Sequence, residues 1–265
     1  LRKYVVVDAM EGIKPNYDKR FCTIFPRMYS TDEPRGGNAY KEWVKIDGTP
    51  ISVNVDGRKQ VLIKPTFLEN LTYFFRYQLG HMYFRYFMWN FAGRQNDIQG
   101  YRELVNGNWL SGINFIDEMR LGPQKGLPEH RKNAGRNKFY LLPFILGMAG
   151  LLYHIQRNVK DAFVVILLFF FTGIAIVIYL NQPPNEPRER DYAYAASFYA
   201  FAIWIGIGVM ALHEWLRKKL SDKISAIVAT LLCLILVPGI MAKEGWDDHD
   251  RSNRYMALAM AKNYL

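Results

Sequence analysis

The chain has 265 residues and a formal net charge of +10, from 34 basic and 24 acidic side chains. Its two cysteines, Cys22 and Cys233, exclude a disulfide framework and lack the spacing of metal ligands. The sequence has no glycine-rich phosphate loop, zinc motif, nucleophile elbow or Ser/His/Asp set, which excludes the soluble enzyme classes that depend on them. It begins at Leu1, and we interpret it as an internal part of a longer protein.

Residues 1–65 predict strands and turns. Two stretches have strand composition, Tyr4–Val7 and Ile51–Val55. The segment Val55–Ile63 (VDGRKQVLI) predicts a hairpin that turns at Asp56-Gly57. Two Gly- and Pro-containing clusters predict further turns, Asp32–Asn38 and Asp47–Pro50.

Residues 66–121 are rich in aromatic side chains, above all in Thr66–Phe91. We predict a helix there, broken near Gly80. One interpretation places this helix at a membrane interface, where its rings lie at head-group depth and its arginines extend toward water. The other interpretation is a buried amphipathic helix of a soluble domain, with Arg76 and Arg85 paired to carboxylates.

Two polar segments follow the aromatic helix. Gly93–Gly100 (GRQNDIQG) predicts a polar loop. Residues 122–138 predict a basic linker that contains Gly and Pro and ends the first region of the chain.

Four uncharged apolar runs occupy residues 139–242, separated by short polar turns. Each is close to the ~20 residues that cross a hydrocarbon core. A soluble bundle would show polar stripes on its outer faces, and these runs show none. We therefore predict an α-helical membrane protein with four transmembrane helices, preceded by a mixed α/β insert (1–138) and followed by a segment outside the membrane (243–265). The runs are Phe139–Ile155, Ala162–Leu180, Ala195–Leu212 and Ile224–Met241.

The loop Asn181–Ser197 lies between the second and third apolar runs, and its three prolines exclude a continuous helix. Two interpretations are open. The loop is a solvated segment with local ion pairs, or Arg188 and Arg190 bind an anionic head group while carboxylates hold the arginines in place. Five charges are packed within six residues: Glu186, Arg188, Glu189, Arg190 and Asp191.

The segment after the last run contains a dense group of oxygen and imidazole ligands. It either binds a divalent cation or places acids at the positive end of a helix dipole. We favour the second interpretation, with the group packing against the Asn181–Ser197 loop or the insert, and we predict a helix over Ser252–Leu265. The group is Asp247, Asp248, His249 and Asp250.

Charge leaves the orientation in the membrane open. The turns 156–161 and 213–223 share one side and carry six basic residues, against two in the opposing short loop, which favours the cytoplasm for those turns. Basic residues that flank the first and last runs on the opposite side reverse this count.

Several long motifs resemble the DUF2723 family, which comprises large membrane proteins of Bacteroidota regarded as relatives of protein O-mannosyltransferases. The resemblance covers the chain from about Thr66 onward. The motifs, in family order, are HMYFRYFMWNFAGRQNDIQG (81–100), FYLLPFILGMAGLLYH (139–154), YLNQPPNEPRERDYAYAASFYAFAIWIG (179–206) and GWDDHDRSNRY (245–255).

The resemblance implies a glycosyltransferase of the GT-C type in the inner membrane. Such enzymes take a sugar from a polyprenyl-phosphate donor on the non-cytoplasmic face, and their acidic catalytic residue would lie outside this chain. The family arrangement would place the insert, the Asn181–Ser197 loop and the C-terminal segment in the periplasm. The expected partners are membrane lipid, the lipid-linked sugar and a protein or glycan acceptor. We assign no cofactor, and the polyprenyl-phosphate-linked sugar is the donor substrate.

We predict two groups of binding residues. The charged residues of the loop would hold the donor phosphate, because guanidinium groups bind phosphate oxygens in pairs. The aromatic helix would cover the prenyl chain or stack on a sugar, and we assign candidate sugar or lipid contacts to Arg85, Trp89, Asn90, Arg94 and Asp97. Anionic lipid suits the positive net charge better than nucleic acid does.

The alternative function is a non-enzymatic membrane scaffold or a component of envelope assembly or transport. The charged loop would then be a structural group of ion pairs. An acidic residue just after the first span of the full-length protein would favour the enzyme.

Overall fold

The computed structural model describes residues 19–23, 25, 27–28, 37–55, 57–129, 133–186, 190–249 and 255–264. The chain forms two compact units, one of residues 1–74 with 183–185 and one of residues 75–182 with 186–265. Contacts thus separate the units after residue 74, whereas composition places the end of the insert at residue 138. The predicted Tyr4–Val7 strand lies outside the described residues.

The first unit contains a short helix α1 (Gly37–Lys41), strands β1 (Thr49–Val55) and β2 (Arg58–Lys64), and helix α2 (Phe67–Tyr73). The strands pair antiparallel from Thr49 opposite Lys64 to Val55 opposite Arg58, which confirms the predicted hairpin. Gly57 lies in the turn with a φ of 78°, a value that glycine adopts without strain. The predicted turn at Asp32–Asn38 lies outside the described residues except for Gly37-Asn38, which begin α1. The predicted turn at Asp47–Pro50 is shorter than predicted, because Thr49-Pro50 begin β1.

Helix α2 begins with a capping box. Thr66 N donates to Glu69 Oε2 over 2.6 Å, and Glu69 N donates to Thr66 Oγ1 over 3.3 Å. Glu69 Oε1 also accepts from the backbone N–H groups of Asp47 and Gly48, at 2.8 and 3.0 Å. One carboxylate therefore connects the start of α2 to the segment that leads into β1.

The aromatic segment is helical as predicted, but it does not break near Gly80. A π-helix covers Phe74–Phe84, and α3 follows over Arg85–Phe91. A Cβ on Gly80 would lie 2.9 Å from the carbonyl oxygen of Phe75, five residues earlier, so glycine suits the wider i→i+5 turn. Buried side chains recur every four or five residues along this helix: Tyr77, Gln78, Met82, Tyr83, Tyr86, Phe87 and Phe91.

The described residues of the polar loop and the basic linker are largely irregular, as predicted, but one end of each joins the other in a short antiparallel ladder. Strand β3 (Gly93–Arg94) pairs with β4 (Asn137–Lys138), and α4 (Asn114–Leu121) lies between them in sequence. Gly93 has a φ of 145°, and a Cβ there would lie 2.4 Å from the carbonyl oxygen of Asn137. Glycine is required at this position because no side chain fits.

Helices make up the rest of the second unit. They are α5 (Leu142–Arg157), α6 (Val159–Thr172), α7 (Ile174–Leu180), a 3₁₀ turn (Asp191–Tyr194), α8 (Ala195–Leu216), α9 (Asp222–Leu234), a π-helical segment (Ile235–Gly239), α10 (Ile240–His249) and α11 (Met256–Tyr264). Helix α11 confirms a helix near the C-terminal end. Pro238 lies in the π-helical segment, where its missing N–H is accommodated by the changed hydrogen bonding.

Within the part of the chain that the structure describes, three helical stretches are long and apolar enough to cross a membrane: Val159–Leu180, Asp191–Leu216 and Asp222–Asp247. They correspond to the second, third and fourth apolar runs and support a membrane protein. The first run forms α5, which is shorter, at 16 residues.

Glycine brings α5 and α8 into backbone contact. A Cβ on Gly150 would lie 1.8 Å from the carbonyl oxygen of Trp204, and one on Gly208 would lie 2.2 Å from that of Leu146. Such close approach is typical of helix pairs in membranes, where small residues permit tight packing. The aromatic helix packs against this helix pair. The ring centroids of Phe87 and Phe91 lie 4.8 and 4.7 Å from that of Phe201 in α8.

Candidate functional site

An apolar groove of about 570 Å³ lies between the aromatic helix and the bundle. Its volume is within the roughly 300–1,000 Å³ of ligand pockets. Apart from the phenol of Tyr83 and the indole of Trp204, its lining is purely hydrocarbon or thioether, so it suits a lipid chain rather than a free sugar. The lining residues are Leu79, Tyr83, Phe84, Phe87, Phe144, Met148, Leu151, Ile155, Ile166, Phe169, Ile174, Phe201 and Trp204.

Tyr83 gives the groove a polar rim. Its Oη donates to Ser197 Oγ over 3.1 Å, and Ser197 Oγ donates to the carbonyl oxygen of Tyr194 over 2.7 Å. The rings of Tyr83 and Tyr194 meet edge to face with centroids 5.5 Å apart. Gly173, between α6 and α7, leaves room for this hydroxyl, because a Cβ there would lie 2.6 Å from Tyr83 Oη.

Gln78 binds the start of the Asn181–Ser197 loop, whose end contacts Tyr83. Its Nε2 donates to Asn181 Oδ1 and to the carbonyl oxygen of Gln182, both over 3.1 Å. Tyr194 Oη in turn donates to Gln182 Oε1 over 2.9 Å. Gln78 is only 1% exposed, so these bonds form in a site shielded from water. The aromatic helix therefore contacts Asn181 and Gln182 through Gln78, and Tyr194 and Ser197 through Tyr83.

The charged loop contains one described ion pair. Arg190 Nη2 lies 3.8 Å from Glu186 Oε2, and the Arg190 side chain is 47% exposed. Asp191 begins the 3₁₀ turn and is exposed. Arg188 and Glu189 lie outside the described residues, so their assignment to a phosphate site stays a prediction. The pair agrees with either interpretation of the loop, because a carboxylate holds the arginine in both.

The second predicted group is brought together only in part. Arg85 and Arg94 place their guanidinium carbons 5.0 and 4.3 Å from the ring centre of Trp89. Asn90 Nδ2 donates to the carbonyl oxygen of Tyr86, and Asp97 Oδ1 accepts from the side chain of Asn133. Because two cations already contact Trp89, a sugar that displaced one of them would lose roughly 0.5–2 kcal/mol.

Arg85 is a buried cation at the centre of this group. It is 5% exposed, and it donates from Nε to the His81 carbonyl over 2.9 Å and from Nη1 to the Gly107 carbonyl over 3.3 Å. Gly107 has a φ of 61°, and a Cβ there would lie 3.3 Å from Arg85 Nη1. The geometry gives Arg85 a structural role, because it joins α3 to the segment that contains Gly107.

Burial and the charges of Arg85 and Arg102 lower the pKa of His81 to about 3. The imidazole of the folded protein therefore stays neutral at pH values where an exposed histidine is protonated. The unfolded chain takes up this proton near pH 6.5, so stability is lost as the pH falls from 6.5 toward 3. At pH 5 this loss is about 2 kcal/mol.

We expect the fall in unfolding midpoint between pH 7.5 and pH 5, measured in detergent, to be smaller in His81→Asn than in the wild type. An equal fall in both proteins would contradict this.

Sequence reasoning missed several residues of the site. Gln78 and Ser197 carry the polar contacts at the groove, yet each is a lone polar residue beside apolar ones. Arg120 stacks on Trp109 with its guanidinium carbon 3.4 Å from the ring centre, and Arg136 donates to the Gln95 carbonyl over 3.2 Å. Burial lowers the pKa of both arginines. For Gln78, Ser197 and Arg120 the available signal was a polar side chain at a helical position between apolar residues.

The cluster near residue 247 is described only in part. Asp247 is exposed, Asp248 and His249 belong to α10 without described side chains, and Asp250 lies outside the described residues. Among the side chains that the structure describes, no three His, Cys, Asp or Glu are grouped closely enough to hold a metal ion. Whether the cluster caps a helix or binds a cation stays a prediction.

Comparison with known proteins covers the first part of the chain. Residues 1–75 match a family of unknown function (DUF8416). No curated protein and no solved structure matches the chain. The family match thus lies almost wholly within the first compact unit, and the groove and the charged loop lie beyond it.

Proposed function

We propose that this chain is part of a membrane glycosyltransferase, which transfers a sugar from a polyprenyl-phosphate donor to a protein or glycan acceptor on the periplasmic face of the inner membrane. The observation that carries the proposal is the apolar groove beside the bundle. Its polar rim anchors the loop that bears Arg190. The resemblance of four motifs to the DUF2723 family supports the same reaction class.

In this proposal the groove receives part of the prenyl chain, since burial of apolar surface contributes roughly 25 cal/mol per Å². The donor phosphate then lies near the loop, where Arg190 exchanges Glu186 for a phosphate oxygen. Transfer breaks the bond between the sugar and the phosphate and forms a bond to an acceptor hydroxyl. Polyprenyl phosphate leaves, and the hydroxyl proton passes to an acidic residue outside this chain.

The topology is part of the proposal. Helix α5 would be a short first span, and its 16 residues extend about 24 Å. Together with the three longer helices it makes four spans. The insert, the charged loop and the C-terminal segment would then share the periplasmic side.

Donor titration on the full-length protein tests this function. We expect Arg188→Ala and Arg190→Ala each to weaken donor binding about tenfold to a hundredfold, because one charge-assisted hydrogen bond contributes about 1.5–3 kcal/mol. Lysine at either position should restore only part of the affinity, since an ammonium group cannot make paired contacts. Arg217→Ala, an exposed arginine at the other end of α8, is the matched control and should bind donor normally.

The alternative function is a non-enzymatic scaffold or a component of envelope assembly or transport, in which the Glu186–Arg190 pair is a structural contact. In that case Arg190→Ala would lower the unfolding midpoint without any selective effect on donor binding. Wild-type donor affinity and turnover in both arginine variants would remove these residues from the site. A full-length protein that turns over no prenyl-phosphate sugar would contradict the enzyme itself.

A further inference from the structure

A second, polar pocket lies at the opposite end of the bundle from the charged loop. It encloses about 370 Å³ where α5 ends and α8 ends. Helix α8 has 22 residues, so its two ends lie about 33 Å apart, close to the thickness of a hydrocarbon core. The polar lining residues are Tyr153, Gln156, Arg157, Glu214, Trp215 and Lys218.

This polar pocket adjoins an apolar cavity of about 360 Å³, and Ala211 and Trp215 line both. The cavity runs between α5, α8 and the α9 region, where Leu236 and Val237 of the π-helical segment complete its wall. A polar mouth and a hydrocarbon interior thus form one continuous surface. That combination matches a molecule with a charged head and an apolar tail.

Both carboxylates near the mouth of the polar pocket, Glu214 and Asp222, are held in ion pairs. Glu214 is held by Arg157 and by Tyr153 Oη, the latter at 2.7 Å. Asp222 lies 3.3 Å from Arg217 Nε and 3.6 Å from His213 Nε2. Within the described part of the chain no carboxylate lies within ion-pair distance of Lys218, which lines the pocket and is exposed.

The surroundings favour an anion in a membrane. The turns 156–161 and 213–223 carry six basic side chains against three acidic ones, Asp161, Glu214 and Asp222. Trp215 is 61% exposed at the mouth, and tryptophan concentrates at head-group depth. A soluble anion would occupy the mouth alone and would leave the adjoining cavity without a role.

We propose that this composite site binds an anionic phospholipid. Its phosphate lies against Lys218, its glycerol region lies beside Trp215, and one acyl chain enters the apolar cavity. The inference rests on residues remote from the charged loop and does not depend on the glycosyltransferase proposal.

Native mass spectrometry on the full chain in detergent tests the site, with phosphatidylglycerol and phosphatidylcholine of identical acyl chains as probes. We expect tighter binding of phosphatidylglycerol. Lys218→Gln should weaken that binding about fivefold, since one basic residue near an anionic lipid contributes about that factor. Lys219→Gln removes the same charge one residue outside the pocket lining, and it should change the affinity less than twofold.

Three results would overturn the proposal. Equal affinity for the two lipids would remove the selectivity for an anion. Equal losses in Lys218→Gln and Lys219→Gln would indicate diffuse attraction to the basic turns instead of a site. Competition by glycerophosphoglycerol, which lacks acyl chains, at the same concentration as the intact lipid would indicate a site for a free phosphate.

Discussion

Gly150→Ala is expected to lower the free energy of unfolding by at least about 4 kcal/mol, a loss found only when a substitution breaks a specific packing arrangement. The added methyl group would lie 1.8 Å from the Trp204 carbonyl oxygen and 2.7 Å from the Gly208 nitrogen. Both are backbone atoms, so no side chain can rotate away and the helices must separate. The measurement is the yield of monodisperse protein in detergent and its unfolding midpoint.

Gly206→Ala provides the matched control in the partner helix, since a Cβ there meets nothing within 4 Å. This change should be neutral or should stabilise the protein by up to about 1 kcal/mol, because alanine is the better helix former. The two substitutions add the same atom and are expected to act in opposite directions. Similar effects of both would show that α5 and α8 are not in backbone contact.

Arg85→Met is expected to cost at least about 2 kcal/mol of stability, because each buried carbonyl oxygen left without its donor costs about 1–3 kcal/mol. The replacement keeps an unbranched apolar stem but leaves the carbonyl oxygens of His81 and Gly107 without this donor. It also removes one of the two cations that contact Trp89. The measurement is the unfolding midpoint in detergent, together with the donor affinity of the folded fraction.

Arg76→Met is the control for this change, because Arg76 is an exposed arginine of the same aromatic helix. Its replacement should alter stability by no more than about 0.5 kcal/mol. If Arg85→Met were as stable as wild type but bound the donor poorly, Arg85 would belong to the binding site and its structural role would be wrong.

Elements governed by local chemistry were predictable from the sequence. The apolar runs form helices as predicted, because a helix satisfies the backbone polar groups of an apolar segment internally. The hairpin formed around Gly57 because its turn needs a positive φ. Arg85 and Trp89 are four residues apart, so a helix necessarily places them on one face.

Features that depend on distant parts of the chain were not predictable. The pairing of Gly93-Arg94 with Asn137-Lys138 spans more than forty residues, and it holds the backbone of Arg94 beside Asn137. The π-helix continues through Gly80, where local propensity predicted a break. The contact of Gln78 with Asn181 and Gln182 likewise joins segments about a hundred residues apart. Charge density drew attention to the loop, but only tertiary structure shows what holds it.

The π-helical segment at Ile235–Gly239 determines the direction in which the later side chains of the helix Asp222–Asp247 point around the helix axis. Each residue of an α-helix turns the chain by about 100°, and a wider π turn shifts the downstream residues relative to uninterrupted α-helical winding. Beyond the segment, Glu244 Oε2 accepts from the backbone N–H of Lys138 in β4 over 3.2 Å. Loss of one residue from this segment would rotate Glu244 away from β4 by about 100°. The π turn therefore sets the rotation of the helix about its axis. With that rotation, one face of the helix lines the apolar cavity and another face contacts the β3–β4 ladder.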